Sequence, residues 1–223
     1  MTAREIIAAL ESHANPANVA GMARYGINPK GTLGVTIPLI RALAKKAGRS
    51  HDLAAELWES GVHEARILAA LVDDPSRVTR RQMDRWVRDL DSWDVCDQVC
   101  SNLFRYTPFA FAKAGEWARA RPEFVRRAGF SLMAGLAVKA KDASNAQFEA
   151  FFPLIAEAAT DDRNMVKKAV NWALRQIGKR NAYLGKVAIA KAEEIGKIDS
   201  KAARWIASDA LRELRRRSSI DSA

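Results

Sequence analysis

Helix starts and stops recur at short intervals along this chain, and that punctuation constrains the fold more than any other feature. Thr2 with Glu5, Thr79 with Gln82 and Ser144 with Gln147 have capping-box spacing, where a hydroxyl accepts from the residue three on and that side chain reaches back. Thr107-Pro108 predicts a proline just inside a helix start, and Gly48, Gly61, Gly178 and Gly196 read as stops. Between these marks apolar residues return every third or fourth position, as in Leu53, Leu57 and Trp58, or Val166, Ala169, Val170, Ala173, Leu174 and Ile177. No segment alternates for long enough to make a strand. The prediction is an all-α protein of about a dozen helices in one domain over residues 1–223. Its tail is expected to fray from about residue 216, and its weakest link to fall at residues 26–35, where NPKGTLG collects turn formers.

A longer period lies above the helices. A basic or polar residue followed by small and apolar ones returns in EARILAALV, WDVCDQVCSNLF, FVRRAGFSLM, MVKKAVNWAL and ARWIASDAL. It places Arg66, Asp97, Arg127, Lys168 and Arg204 at intervals of 31, 30, 41 and 36 residues. Such intervals suit a HEAT-like helical-repeat solenoid, an α-α superhelix in which each helix pair buries its apolar faces only against its neighbours. An irregular helical bundle is the alternative. In the solenoid, equivalent positions line one concave surface, which here becomes a basic cleft holding a single acid.

Charge narrows the partner. Lys and Arg number 36 against 26 Asp and Glu, a formal net charge of +10, which suits an anionic polymer, nucleic acid foremost. A solvated basic surface, an acidic protein or a membrane surface are the competing readings. The opening MTAREIIAALESHA is neither a signal nor a transit peptide, and no run of 18 apolar residues occurs, so a soluble cytoplasmic protein is expected. Cys96 and Cys100 stand one helical turn apart without a matching pair and read as buried hydrophobes. His13, His51 and His63 form no ligand or triad pattern, so neither a metal nor an organic cofactor is implied.

The candidate site residues follow from helical geometry. Trp93 and Asp97 share one helix face, an aromatic plane beside a lone acid. Trp172 has Lys168 and Arg175 one turn to either side, and aromatic planes flanked by bases suit nucleotides or sugars. Trp58, Trp86, Trp117 and Trp205 are assigned to the core. Arg127, Lys167, Lys168, Arg175, Lys179 and Arg180 are candidates for phosphate contact, with Arg127 and Lys168 in the repeat register. Asp97 has three readings: an ion pair with a neighbouring Arg, a solvated acid, or a carboxylate that meets positive charge on a substrate.

The segments MARYGI at residues 22–27, SWDVCD at 92–97, FVRRA at 124–128 and KKAVNWALR at 167–175 together resemble the DNA alkylation repair glycosylases of the AlkD type, a HEAT-like all-helical family. By position the resemblance makes Trp93 and Trp172 the cleft tryptophans, Asp97 the catalytic aspartate, Arg127 the cleft arginine and Tyr25 an aromatic near the cleft. It implies metal-independent hydrolysis of the N-glycosidic bond of cationic alkylated purines, such as 3-methyladenine and 7-methylguanine, in double-stranded DNA. The lesion would lie against a shallow cleft, and the protein would act as a monomer in base excision repair. Arg127, Tyr25, Lys168, Arg175 and Lys179 would contact the DNA. The chain departs from its relatives at Ser92, where an aromatic often stands, and at Thr36, where a glutamine can occur. Two further functions stay open: a non-catalytic protein that binds damaged or branched DNA, and a helical-repeat scaffold for a protein partner.

Overall fold

The computed structural model describes residues 1–220, the last three as helix backbone only, and every regular element among them is helical. The chain divides into two compact units, Met1–Thr107 and Pro108–Ala223. The first contains α1 (Ala3–Glu11), α2 (Pro16–Arg24), α3 (Ile37–Ala47), α4 (His51–Glu59), α5 (His63–Val72), α6 (Arg80–Arg88) and α7 (Trp93–Asn102). The second contains α8 (Ala110–Ala118), α9 (Glu123–Lys139), α10 (Asn145–Glu149), α11 (Phe152–Glu157), α12 (Asn164–Gly178), α13 (Ala182–Gly196) and α14 (Lys201–Ile220). The end of the tail expected to fray, residues 221–223, lies outside the described residues. No described helix is long and apolar enough to cross a membrane.

The start signals act as their chemistry dictates, with two exceptions. Thr2 and Glu5 form a full capping box at α1. At α6 only half of one forms: Thr79 Oγ1 accepts from the Gln82 amide at 3.1 Å, but the Gln82 side chain donates to Asp73 Oδ2 at 2.7 Å instead of serving the cap. Pro108 precedes its helix, since α8 begins at Ala110 after Phe109. The expected weak link is an irregular segment between α2 and α3, where Gly26, Gly31 and Gly34 all take positive φ.

In the first unit α5 is central and packs against α1, α3, α4 and α7. HEARILAALV is apolar nearly all round, so it is buried nearly all round: Ala65, Ile67, Leu68, Ala69, Ala70 and Val72 are all in the core. Each large aliphatic side chain enclosed this way contributes about 1.5–3 kcal/mol. Trp58 and Trp86 stack beside it with ring centres 4.1 Å apart and planes 2° from parallel, and the Arg66 guanidinium lies 5.3 Å over the Trp58 ring. Trp58 donates its indole N–H to Asp89 at 2.8 Å, which lets a polar edge sit in the core.

In the second unit α9 and α12 form the central pair. Helix α9 is enclosed from Arg127 to Ala137 and runs so close to α8 that a β-carbon on Gly129 would stand 2.4 Å from the Ala118 nitrogen. Helix α12 is amphipathic as predicted, with Val166, Ala169, Val170, Ala173, Leu174 and Ile177 all buried. Its N-terminal approach is fixed by Asp161, which takes two hydrogen bonds from the Arg163 side chain, at 2.6 and 2.9 Å, and one from Arg126 at 3.1 Å. Cys96 and Cys100 are buried thiols not joined in a disulfide, as expected, and Trp58, Trp86 and Trp117 are core residues. Trp205 is not: it is 40% exposed, with the Lys167 ammonium 5.1 Å over its ring.

Candidate functional site

In the first unit the site is a loop braced against the start of a helix. Trp93 is the first residue of α7, and its indole N–H donates to the Tyr25 carbonyl at 3.1 Å, fixing the ring against the segment that follows α2. The Tyr25 side chain itself is 76% exposed, so its phenol plane is presented to solvent. Asp97, half-buried, stands one turn along α7 on the face of Trp93. Beside the indole opens a hollow of about 560 Å³, whose lining includes Met22, Tyr25, Val35, Ile37, Ile67 and Trp93. A largely apolar hollow edged by aromatic planes suits a flat ring.

A buried carboxylate holds this loop in shape. Glu64 is 1% exposed and accepts the backbone N–H groups of Leu33, Gly34 and Val35 at 2.9, 2.7 and 3.1 Å. Three amides converging on one anion satisfy a charge that would otherwise cost several kcal/mol to bury. Gly34 is required there, because at φ 78° a β-carbon would stand 2.3 Å from the Asn15 carbonyl oxygen. Next to Glu64, His63 donates its backbone N–H to the Gly31 carbonyl at 2.9 Å, and its Nε2 pairs with Asp94 on α7 at 2.8 Å. Burial pushes the His63 pKa down, but the hydrogen bond to Asp94 and the charges of Asp94, Glu64 and Asp91 outweigh it and hold the pKa above its ordinary value. Ser92 is buried and its hydroxyl accepts from the Asn28 amide at 2.9 Å. The position where relatives often carry an aromatic thus serves as a loop anchor. Thr36, the other departure, is exposed at the start of α3 and lines the hollow.

In the second unit the candidates occupy one long helix. Trp172 is half-buried midway along α12, and Lys168 is exposed one turn before it. With its side-chain oxygen turned towards them, Gln176 accepts from the Trp172 indole at 3.2 Å and from Lys179 Nζ at 3.1 Å. A row of acids on α14 meets the row on α12. Asn171 donates to Asp209 at 2.6 Å, Arg175 pairs with Asp209 and Glu213, and Lys179 pairs with Glu213 at 2.6 Å. Burial would raise the pKa of Glu213, but its hydrogen bonds from Lys179 and Arg175 and their charges hold it below the ordinary carboxylate range.

Four of the sequence-derived cations differ from surface charges awaiting phosphate. Arg127 is 5% exposed and donates to the Met165 carbonyl at 2.6 Å, so it ties α9 to the first turn of α12. Arg175 and Lys179 are already ion-paired with α14. Arg180 is also engaged: its guanidinium donates to the carbonyls of Ala137, Ala140, Lys141 and Ala143, because the last carbonyls of α9 have no partner within their own helix. The repeat register places its residues on α5, α7, α9, α12 and α14, but its five side chains do not share one environment: Arg127 is buried, Lys168 and Arg204 are exposed. Glu64, His63 and Asp94 were not singled out by sequence reasoning. The signal available was an acid in the first turn of an otherwise largely apolar helix. Among the described residues no cluster of His, Cys, Asp and Glu is arranged to hold a metal ion.

The sequence pattern of the DNA alkylation repair enzymes matches residues 6–214. No curated protein sequence matches. Among solved structures, one described as a new family of proteins related to the HEAT-like repeat DNA glycosylases, with affinity for branched DNA structures, superposes with a TM-score of 0.79. The match has 21% identity and covers 96% of this chain and 95% of that one, so the HEAT-like repeat fold is shared. An engineered protein and a designed armadillo repeat protein, at 16% and 14% identity, cover 78% of this chain and 90% and 91% of theirs with TM-scores of 0.38, too low to argue from.

Proposed function

Because the chain belongs to the DNA alkylation repair enzymes, we propose that it is a metal-independent alkylpurine DNA glycosylase. Its substrates are cationic bases such as 3-methyladenine and 7-methylguanine in double-stranded DNA, on which it acts as a cytoplasmic monomer. The observation that carries the reading is the pairing on α7 of a fixed indole with a half-buried carboxylate one turn away. An alkylated purine already bears positive charge, so it leaves without a general acid. The bond from C1′ to the base nitrogen breaks, its electron pair departs with the base, and the base leaves neutral. The sugar is left as an oxocarbenium-like cation, which Asp97 stabilises while it orients the water that adds at C1′ and gives up a proton. Trp93 and Trp172 offer ring faces to the cationic nucleotide, each contact contributing about 0.5–2 kcal/mol. Tyr25 and Lys168 contact the DNA directly. Arg175 and Lys179 reach its phosphates by exchanging α14 carboxylates for them. Arg127, being buried, supports the phosphate contacts from beneath.

The test is release of 7-methylguanine and 3-methyladenine from methylated duplex DNA, without added metal, by the wild type and by Asp97→Asn. The amide is expected to lower release at least a hundredfold, in keeping with the loss of one preorganised electrostatic stabiliser, while DNA affinity is kept or improved. The structural relative with affinity for branched DNA favours a second reading, in which the same fold binds distorted DNA without chemistry. Tight binding of branched over linear DNA, with no base release by either protein, would establish that reading and end the first.

A further inference from the structure

A hollow of about 510 Å³ lies within the second unit beside the C-terminal ends of α9 and α12. Its lining includes the cations Lys141, Lys179, Arg180 and Arg217 and the amides of Gln176 and Asn181, and Lys179 is paired with Glu213 of α14 at 2.6 Å. The end of a helix is a negative pole, which ordinarily disfavours an anion. Here Arg180 covers the final carbonyls of α9 with its guanidinium, and Asn181 opens α13, whose N-terminal pole has the opposite sign. Gln176, with its oxygen committed to Trp172 and Lys179, retains its NH2 group as a donor. Lys141 is exposed at the turn beyond α9.

We propose that this hollow is a binding site for a backbone phosphodiester of DNA, gripped by Lys141, Arg217 and the Gln176 amide, with Lys179 exchanging Glu213 for the phosphate. The inference rests on the reading of DNA as the substrate. The site adjoins the candidate chemistry, because Gln176, with its oxygen turned towards them, accepts from both the Trp172 indole and the Lys179 ammonium, so a phosphate held here sets the register of the strand relative to Trp172. The hollow has room for a phosphate with its flanking sugars, and contacts to phosphate carry no sequence information. It therefore positions the strand without reading sequence.

The experiment measures the affinity of the full chain for an undamaged DNA duplex across a salt series, for the wild type, Lys141→Ala/Arg217→Ala, and a control pair of exposed lysines outside the hollow, Lys186→Ala/Lys201→Ala. Loss of two phosphate contacts is expected to weaken binding roughly tenfold at moderate salt and to flatten the slope of log K against log salt by about two, uniformly across sequences. An unchanged slope in the hollow variant, or an equal change in the control pair, overturns the site. Arg180→Ala is avoided because it uncaps α9. A flattened slope in a protein whose wild type releases no base would remove the glycosylase reading and leave this site standing. Base release with an unchanged slope would do the reverse.

Discussion

Trp93 stands where a helix meets a loop, whereas Trp172 stands in the middle of a 15-residue helix, and their supports differ accordingly. Around Trp93 the stability is concentrated. One buried carboxylate, Glu64, organises three backbone amides, and the loop it shapes supplies the carbonyl that holds the indole. Around Trp172 it is distributed over a ladder of partly exposed ion pairs between α12 and α14, with the Asp161 cluster closing the helix start. A concentrated support fails when one atom is changed. A distributed one loses a rung at a time.

Glu64→Gln breaks the comparison most severely, since an amide offers one acceptor oxygen to three buried N–H groups. A loss of about 3 kcal/mol in denaturant unfolding is expected, with blue or red shift of the Trp93 emission as its loop loosens. Asp161→Asn should cost about 2 kcal/mol, because two arginines lose a common carboxylate that is 7% exposed while they themselves remain partly solvated. Glu213→Gln should cost only about 0.5 kcal/mol, its pairs being a fifth to a quarter exposed and in part replaceable by water. If Glu213→Gln proved as damaging as Glu64→Gln, the contrast between the two supports would be wrong.

The two units should also respond to pH in opposite directions. His63 has a raised pKa in the folded protein, so its pairing with Asp94 contributes fully below the ordinary imidazole value and is lost as pH rises through the folded one. For Asp161, burial pushes the pKa up, but the hydrogen bonds and charge of Arg163 bring it below the ordinary value, so its contribution is present above that value and lost as pH falls through the folded one. Hydrogen exchange read region by region should show the start of α7 loosening on the alkaline side and the start of α12 on the acid side. His63→Gln should abolish the first trend and leave the second.

The helices were legible in the sequence because their apolar faces repeat at a period that local geometry imposes, as the six buried positions of α12 illustrate. The partners of the polar residues were not. Glu64 binds amides some thirty positions away, and Arg180 reaches back about forty to cap α9, distances at which sequence spacing says nothing about contact. Gln82 sits at capping-box spacing yet donates its NH2 group to the buried Asp73 carboxylate, an orientation in which its oxygen does not accept from the N-cap N–H. Trp205 was misassigned for a related reason: an indole can lie half outside the core when an ammonium covers its face. Resemblance and spacing nominate the residues of the candidate site, but they do not reveal the atoms that hold them in place.

The segment from Leu33 to Val35 gathers backbone amides around an anion, an arrangement that in many proteins is left open for phosphate. Here the protein supplies the anion itself. A loop whose amide hydrogens are committed in this way has nothing left to offer an incoming strand and no ordering entropy left to lose. Exchange of those three hydrogens with solvent should already be slow in the free protein and stay equally slow when DNA is bound, the kinetic mark of a site assembled before its substrate arrives.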